Sequence, residues 1–458
     1  MPDPQIRLVY DVEDRSASRR DWALYSIQWL ATMFYAVVLG YALVGVELGL
    51  EGDDLSTYMA AVVFTTGVAT ALQVWRGHRF AMVSGPNIIP SIAIITAIAT
   101  GGVEYAEQAF IAQAIAGALV AAIAVTGLLA HIRRVFSPLV LGPMIIVLGI
   151  AIAQQSLDLL VQEGFGWQFW AGAALAAGGL ALAIRGPGIW ASLPPLLIVA
   201  AGYAVFIAAG DVDWDPARDA GGLVTPALFP FGLEWPALDL VAIMIVVNLM
   251  AVLNLYGNLA GYGQIIGREV TDGQMRRSFT LFGVVENVLP GVLGAPGTVA
   301  YGENLGIVLT TRVAARAFIL VAAIALAVLA FIGPVVGLMS AMPPAVAGAV
   351  LLGVASAAVG IGVNITGTAP VFARREQAMV GFSVFFAVGL FILPDAAWED
   401  VPRVVSTVFR NPIIAVIIFA VLLEQTLLRG TGAAGDGGEA DDEDPAADRD
   451  NAKGASDG

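Results

Sequence analysis

The sequence predicts an all-α polytopic membrane protein of about fourteen spans, built as two inverted halves of seven. Three observations carry that prediction. Hydrophobic residues make up 58% of the chain against 13% charged, and the mean hydropathy is +0.81. Such a chain has too little polar surface to cover a soluble globule. Its arginines cluster at alternate ends of successive apolar runs. Finally, the third and tenth runs are broken by glycine and proline at matching places in the two halves.

Apolar runs bounded by charge, Gly or Pro fall near 23–46, 57–75, 82–100, 108–131, 137–155, 168–185, 189–209, 238–262, 277–293, 299–312, 314–333, 343–362, 377–394 and 411–428. A spanning helix needs about 20 apolar residues, so the third and tenth are short. With a cytoplasmic N-terminus, Arg7, Arg15, Arg19 and Arg20 precede the first span. The even-numbered ends carry Arg76 and Arg79, Arg133 and Arg134, Arg185, Arg268, Arg276 and Arg277, Arg312 and Arg316, Arg374 and Arg375, and Arg429. Opposite loops hold only Arg218, Arg403 and Arg410. Each arginine alone is a snorkelling flank. Together they predict an even number of spans, with both termini on the cytoplasmic side of the cell membrane.

The ends and the composition exclude several chemistries. The first 22 residues are polar and lack a signal-peptide core, so no cleavage is expected. Residues 430–458 are rich in Gly, Ala and Asp and are expected to be disordered; they account for part of the net charge of −15. There is no cysteine, and His78 and His131 both sit next to arginine at helix ends, so no metal or thiolate site is expected. No nucleotide-binding loop of the Walker type and no nucleophile–base pair occurs in the spans. A cofactor, a nucleic-acid partner and an enzymatic activity are therefore not expected.

The third span contains "MVSGPNIIPS", residues 82–91, and the tenth "AYGENLG", residues 300–306. Pro86 and Pro90 are expected to break helical hydrogen bonding. Both segments carry Gly-x-Asn followed by Ile or Leu, at Gly85-Pro86-Asn87 and Gly302-Glu303-Asn304. Non-helical backbone at membrane depth must be buried in protein or line a cavity. Paired broken helices therefore mark a central site where half-helix N-termini offer donors to a ligand. Glu303 lies in that site. A carboxylate at membrane depth costs a few kcal/mol, which disfavours a purely structural role. Pairing with Arg312 in the same helix is unfavourable, because nine residues separate them by about 13 Å.

These residues resemble a known signature. "ENLGIVLTTR", 303–312, is similar to that of the nucleobase–ascorbate transporter family, also called nucleobase–cation symporter family 2: Gln, Glu or Pro, then Asn-x-Gly, four variable residues, Thr and Arg. Glu303, Asn304, Gly306, Thr311 and Arg312 fill its fixed places, and Tyr301-Gly302 makes "YGENLG", which looks most like the uracil-permease branch. Residues 342–363 also resemble the family's twelfth helix. The likeness extends over about residues 20–430, with close motif identity confined to 291–312 and its flanks.

The resemblance implies a core domain at 23–131 and 238–333 and a gate domain at 132–209 and 334–429. Flanking these would be a cytoplasmic segment at 1–22, an extracellular loop at 210–237 and the tail. Short extended segments of spans three and ten would cross at the centre, with substrate held between core and gate. Glu303 would bind a nucleobase N–H beside Tyr301 and Gly302. Asn254, Asn258, Gly85 and Gln28 would complete the binding set, and Asn87 would be the third-span counterpart of Asn304. The resemblance also implies a secondary active permease that imports uracil, or else xanthine or another purine, by symport with H+ or Na+. Family members are often homodimers through the gate domain. An anion transporter or channel of the related fold is the rival reading, and a central Glu303 argues against it.

The chain departs from the family pattern in four places. Asn254 stands where the family usually has an acid, which puts its proton-coupling scheme in doubt. Gln28-Trp29 replaces the common Gln-His. Ser84-Gly85-Pro86 lacks the aromatic of the matching uracil-permease segment. Glu286, in "FGVVENVLPG", is an acid where none is expected. It is either a displaced ion-coupling carboxylate or an acid paired inside the bundle.

Overall fold

A computed structural model describes residues 6–128, 137–187, 190–191, 193–302 and 304–428. The predicted tail at 430–458, His131 and Glu303 lie outside the described residues.

Helix α1 (Arg19–Gly40) starts at Ser18, whose hydroxyl accepts the Asp21 N–H, and runs into a π-helical turn, Tyr41–Gly45. α2 (Gly52–Arg76) leads by a loop to β1 (Ser84–Pro86), a strand buried at all three residues, and then to α3 (Ile88–Gly101). Pro86 therefore lies in the strand. Pro90, expected to break a helix, sits in the first turn of α3, where its missing N–H would have no helical partner anyway.

Next come α4 (Val103–Thr126), α5 (Pro138–Leu160), α6 (Trp167–Arg185), α7 (Pro194–Ala209) and the short α8 (Asp215–Asp219). The second half opens with α9 (Leu238–Ile266). α10 (Asp272–Gly283) continues through a π-helical turn, Val284–Val288, into α11 (Leu289–Val292). Strand β2 (Thr298–Ala300) precedes the half-helix α12 (Asn304–Thr311), and α13 (Arg316–Leu329) and α14 (Gly333–Ser340) follow. The chain closes with α15 (Pro344–Gly367), α16 (Arg374–Phe391), α17 (Arg403–Arg410) and α18 (Pro412–Leu423). The loop expected at 210–237 contains α8, which packs on α14, a helix the sequence did not suggest.

Among the described residues, seven helices are long and apolar enough to cross a membrane: α1 with its π turn, α2, α4, α5, α6, α9 and α15. The other expected spans fall on shorter or composite elements. Large apolar side chains face outward, such as Trp170 (66% exposed) and Phe385 (79%), as a lipid-facing surface requires.

Packing sorts the helices into two groups. In the first, α2 lies along α13, α1 packs on α13, and α4 is sandwiched by α9 and α10. In the second, α5 lies along α15, flanked by α6, α16 and α18. Small residues permit these close approaches. A Cβ on Gly117 of α4 would lie 2.7 Å from the Gly283 carbonyl oxygen of α10, so the two backbones touch. The groups meet where α1 contacts α7 and α15.

The segment before α1 is docked onto the first group. Val9 N–H donates to the Arg312 carbonyl (2.8 Å), Ala314 N–H to the Tyr10 carbonyl (2.9 Å) and Arg316 N–H to the Val12 carbonyl (3.1 Å). Asp11 pairs with Arg268, and Glu13 with both Arg79 (2.9 Å) and Arg316 (2.6 Å). Polarity alone gave no sign of this strap.

Candidate substrate site at the crossing of two broken helices

The two interrupted segments meet as an antiparallel pair, with Ser84 opposite Ala300, Gly85 opposite Val299 and Pro86 opposite Thr298. Two further backbone bonds extend the pairing: Tyr301 N–H to the Val83 carbonyl (3.0 Å) and Asn87 N–H to the Gly297 carbonyl (2.6 Å). Each strand hands over at once to a half-helix. Asn87 caps α3, its side-chain oxygen accepting the Ile89 N–H (3.1 Å), and Asn304 opens α12, its Nδ2 donating to the Tyr301 carbonyl (2.9 Å). The two Gly-x-Asn motifs thus occupy equivalent places, with both helix N-termini aimed at the crossing.

Side chains from both halves lock this geometry. Tyr301 Oη donates to the Pro86 carbonyl (2.8 Å). A Cβ on Gly85 would lie 2.6 Å from that hydroxyl and 2.6 Å from Ala36 Cβ, so only glycine fits. On α9, Asn258 Nδ2 donates to the Ala300 carbonyl (2.8 Å) and to Asn254 Oδ1 (3.3 Å). A Cβ on Gly302 would meet Asn258 Oδ1 at 2.7 Å.

A cavity of about 280 Å³ opens in front of the crossing. Thr32, Tyr301, Asn304 and Gly306 line it from the first helix group, and Pro194 and Val354 from the second. Asn304 Oδ1 is buried with no hydrogen-bond partner among the described residues, an acceptor left beside the cavity. Gln28 stands one turn away, its carbonyl accepting from the Thr32 hydroxyl (3.0 Å). Among the described residues, Asn254, Asn258, Gly85, Gly302 and Gln28 support the cavity without lining it. Thr32 and the α7 and α15 faces were not foreseen, because small and apolar residues on apolar helices carry no mark of a site.

The remaining motif residues end α12. Thr311 Oγ1 donates to the Ile307 carbonyl (2.8 Å), and Arg312 turns the chain with a left-handed φ of 58°. Glu286 lies away from the cavity, fully buried on the π-helical turn, where its Oε2 accepts from Gln73 Nε2 (2.8 Å).

Comparison with known proteins agrees with this architecture. A model of the xanthine/uracil type, described as a permease family, matches residues 20–396. The uric acid permease PucK of Bacillus subtilis is 23% identical over 381 residues, 81% of this chain and 87% of that protein. The uracil permease of the same organism is 27% identical over 344 residues, 72% and 76% of the two chains. The xanthine permease XanP of Escherichia coli is 27% identical over 417 residues, 84% and 86%. Among solved structures, the transmembrane domain of the cyanobacterial bicarbonate transporter BicA superposes with a TM-score of 0.58 at 16% identity, covering 89% of this chain and all of that one. The murine anion transporter Slc26a9, in its inward-facing state, gives 0.59 at 11% identity, covering 89% and 69%. Both are seven-plus-seven inverted-repeat transporters, and at such identities they show only that the chain shares their general fold. The match over most of its length places the chain in the xanthine/uracil permease family of nucleobase–ascorbate transporters.

Proposed function

We propose that the protein is a secondary active permease that imports a nucleobase, uracil ahead of xanthine, by proton symport with alternating access. The cavity at the crossing carries this reading: Tyr301 and Asn304, at the N-terminus of the half-helix α12, face it from one helix group, and apolar faces of α7 and α15 close it from the other. A nucleobase edge alternates N–H and C=O, and a site with one carboxylate, an amide and backbone donors can read it. Relatives that are uracil, xanthine and uric acid permeases support the substrate class. The preference for uracil rests on the "YGENLG" sequence with Glu303.

In this reading α1–α4 and α9–α13 form the core of a fourteen-span protein, α5–α7 and α15–α18 form the gate, and both termini face the cytoplasm. Homodimerisation would run through the gate. Rocking of core against gate would expose the cavity to each side in turn.

Uptake into proteoliposomes tests the proposal, using labelled uracil, xanthine and urate, with and without pH and Na+ gradients. Uracil should accumulate when the outside is acidic. Transport of bicarbonate or sulfate with no base bound would instead assign the protein to the anion transporters.

A further inference from the structure

We propose that Glu286, buried behind the crossing strands, carries the coupling proton; this deepens the symport reading above and rests on it. The polar α9 residues at the crossing, Asn254 and Asn258, bear amides that do not titrate. Neither can therefore carry a proton.

The surroundings of Glu286 suit that task. It sits on a π-helical turn, an insertion often found at functional positions. Gln73 holds Oε2 in a fixed orientation. Its Nε2 also donates to the Ser278 carbonyl (3.0 Å), and its Oε1 accepts from Ser278 Oγ (3.1 Å). The other carboxylate oxygen, Oε1, is buried and unpartnered among the described residues. The Ser84 hydroxyl lies beside the carboxyl, outside hydrogen-bonding geometry and likewise unpartnered.

No described cation answers the charge. The elements packed against the turn are α2, α4, α10, α11 and β2. On α2, Arg76 lies over the Trp75 ring, Tyr58 donates to the Gly40 carbonyl, and Asp53 and Asp54 lie at the far end from Gln73. On α4, Glu104, Tyr105 and Glu107 lie near its start, whereas the helix meets the turn through Gln113 and Gly117. On α10, Asp272, Arg276 and Arg277 are exposed at its start, and α11 and β2 hold no titratable residue. An ionised carboxylate without a counter-cation is costly here.

Ser84 makes both protonation states tenable. A hydroxyl can donate to the carboxylate and, after rotating, accept from the carboxylic acid, while the Gln73 amide serves Oε2 in either state. The reaction is a simple one: the carboxylate takes a proton arriving with substrate and returns it to the cytoplasm. The same serine leads to the cavity. Ser84 N–H donates to Thr70 Oγ1 (2.9 Å), which donates to the Ser84 carbonyl (3.2 Å). Ser84 lies opposite Ala300, the residue before cavity-lining Tyr301. Protonation would thus alter the hold on the strand pair that positions the binding residues.

Glu286→Gln in proteoliposomes tests this with labelled uracil. Counterflow, which needs no net proton movement, should persist, while accumulation driven by an acid exterior should fall to passive equilibration. Accumulation like the parent's, or accumulation driven by Na+ without a pH gradient, overturns the proposal. Ser84→Ala, a milder change, should shift the pH of half-maximal accumulation; an unshifted profile counts against it. Infrared difference spectra across a pH step need no substrate and should show a carboxylic-acid C=O band in the parent that Glu286→Gln lacks. A band missing from the parent, or retained in the variant, overturns the proposal. If the parent transports no base yet shows that band, the transport reading fails while the proton site on Glu286 stands.

Discussion

Tyr301 Oη donates a 2.8 Å hydrogen bond to the Pro86 carbonyl, joining the two broken helices across 215 residues of sequence. The bond closes over Gly85, whose missing side chain makes room for the phenol. Tyr301→Phe should cost about 0.5–1.5 kcal/mol, the net worth of one hydrogen bond. Gly85→Ala should cost about 1–3 kcal/mol, because overpacking forces the phenol away. Thermal unfolding of purified protein would rank them; equal midpoints for Gly85→Ala and the parent would mean the crossing is looser than described.

The α9 asparagines should separate. Asn258→Ala strips the buried Ala300 carbonyl of its donor and should destabilise by about 1–3 kcal/mol. Asn254→Ala loses only the longer 3.3 Å contact and should unfold closer to the parent. If Asn254→Ala proves the more damaging in melting experiments, the division of roles is reversed.

Arg312 ends the signature helix with φ at 58°, a conformation that costs a side-chain-bearing residue about 1–2 kcal/mol. Arg312→Gly should therefore fold at least as stably as the parent, and Arg312→Gln should impair transport more than equilibrium binding. A marked drop in melting temperature for Arg312→Gly would show that its side chain holds the fold.

His78, in the loop between α2 and β1, should make the fold acid-sensitive. Burial pushes its imidazole from the ordinary 6.5 down to about 3. The unfolded chain takes up this proton near 6.5, whereas the folded chain resists it until about 3. Stability is thus unaffected above the unfolded value and falls as pH drops through that window. His78→Gln, which keeps an acceptor for the Phe80 N–H, should flatten the stability-versus-pH curve there; an identical slope would contradict the assignment.

The membrane class is legible in the sequence because lipid demands long apolar runs, and seven of those runs fall on helices long enough to cross. The crossing was legible because glycine, proline and asparagine recur at matching positions in an otherwise apolar chain. The strap at Val9–Val12 was not, because its docking consists of backbone bonds and ion pairs to distant loops. Asn258 reads in the sequence as a ligand for substrate, and the structure adds a bond from its amide to a strand carbonyl. A side-chain amide reads the same in either role, and only the neighbour decides. Gln73 carries no mark of its role for a similar reason, since nothing local to α2 shows that Glu286 lies opposite.

The most direct test of the central claim is equilibrium binding of uracil to purified, monodisperse protein, comparing the parent with Glu303→Gln. The substitution keeps the side-chain shape and removes the charge. Hydrogen bonds to charged groups contribute about 1.5–3 kcal/mol, so uracil affinity should fall by roughly tenfold to more than a hundredfold. Bases with a different edge pattern should lose less. Unchanged uracil affinity would mean that the carboxylate does not read the base, and the substrate site at the crossing would have to be abandoned.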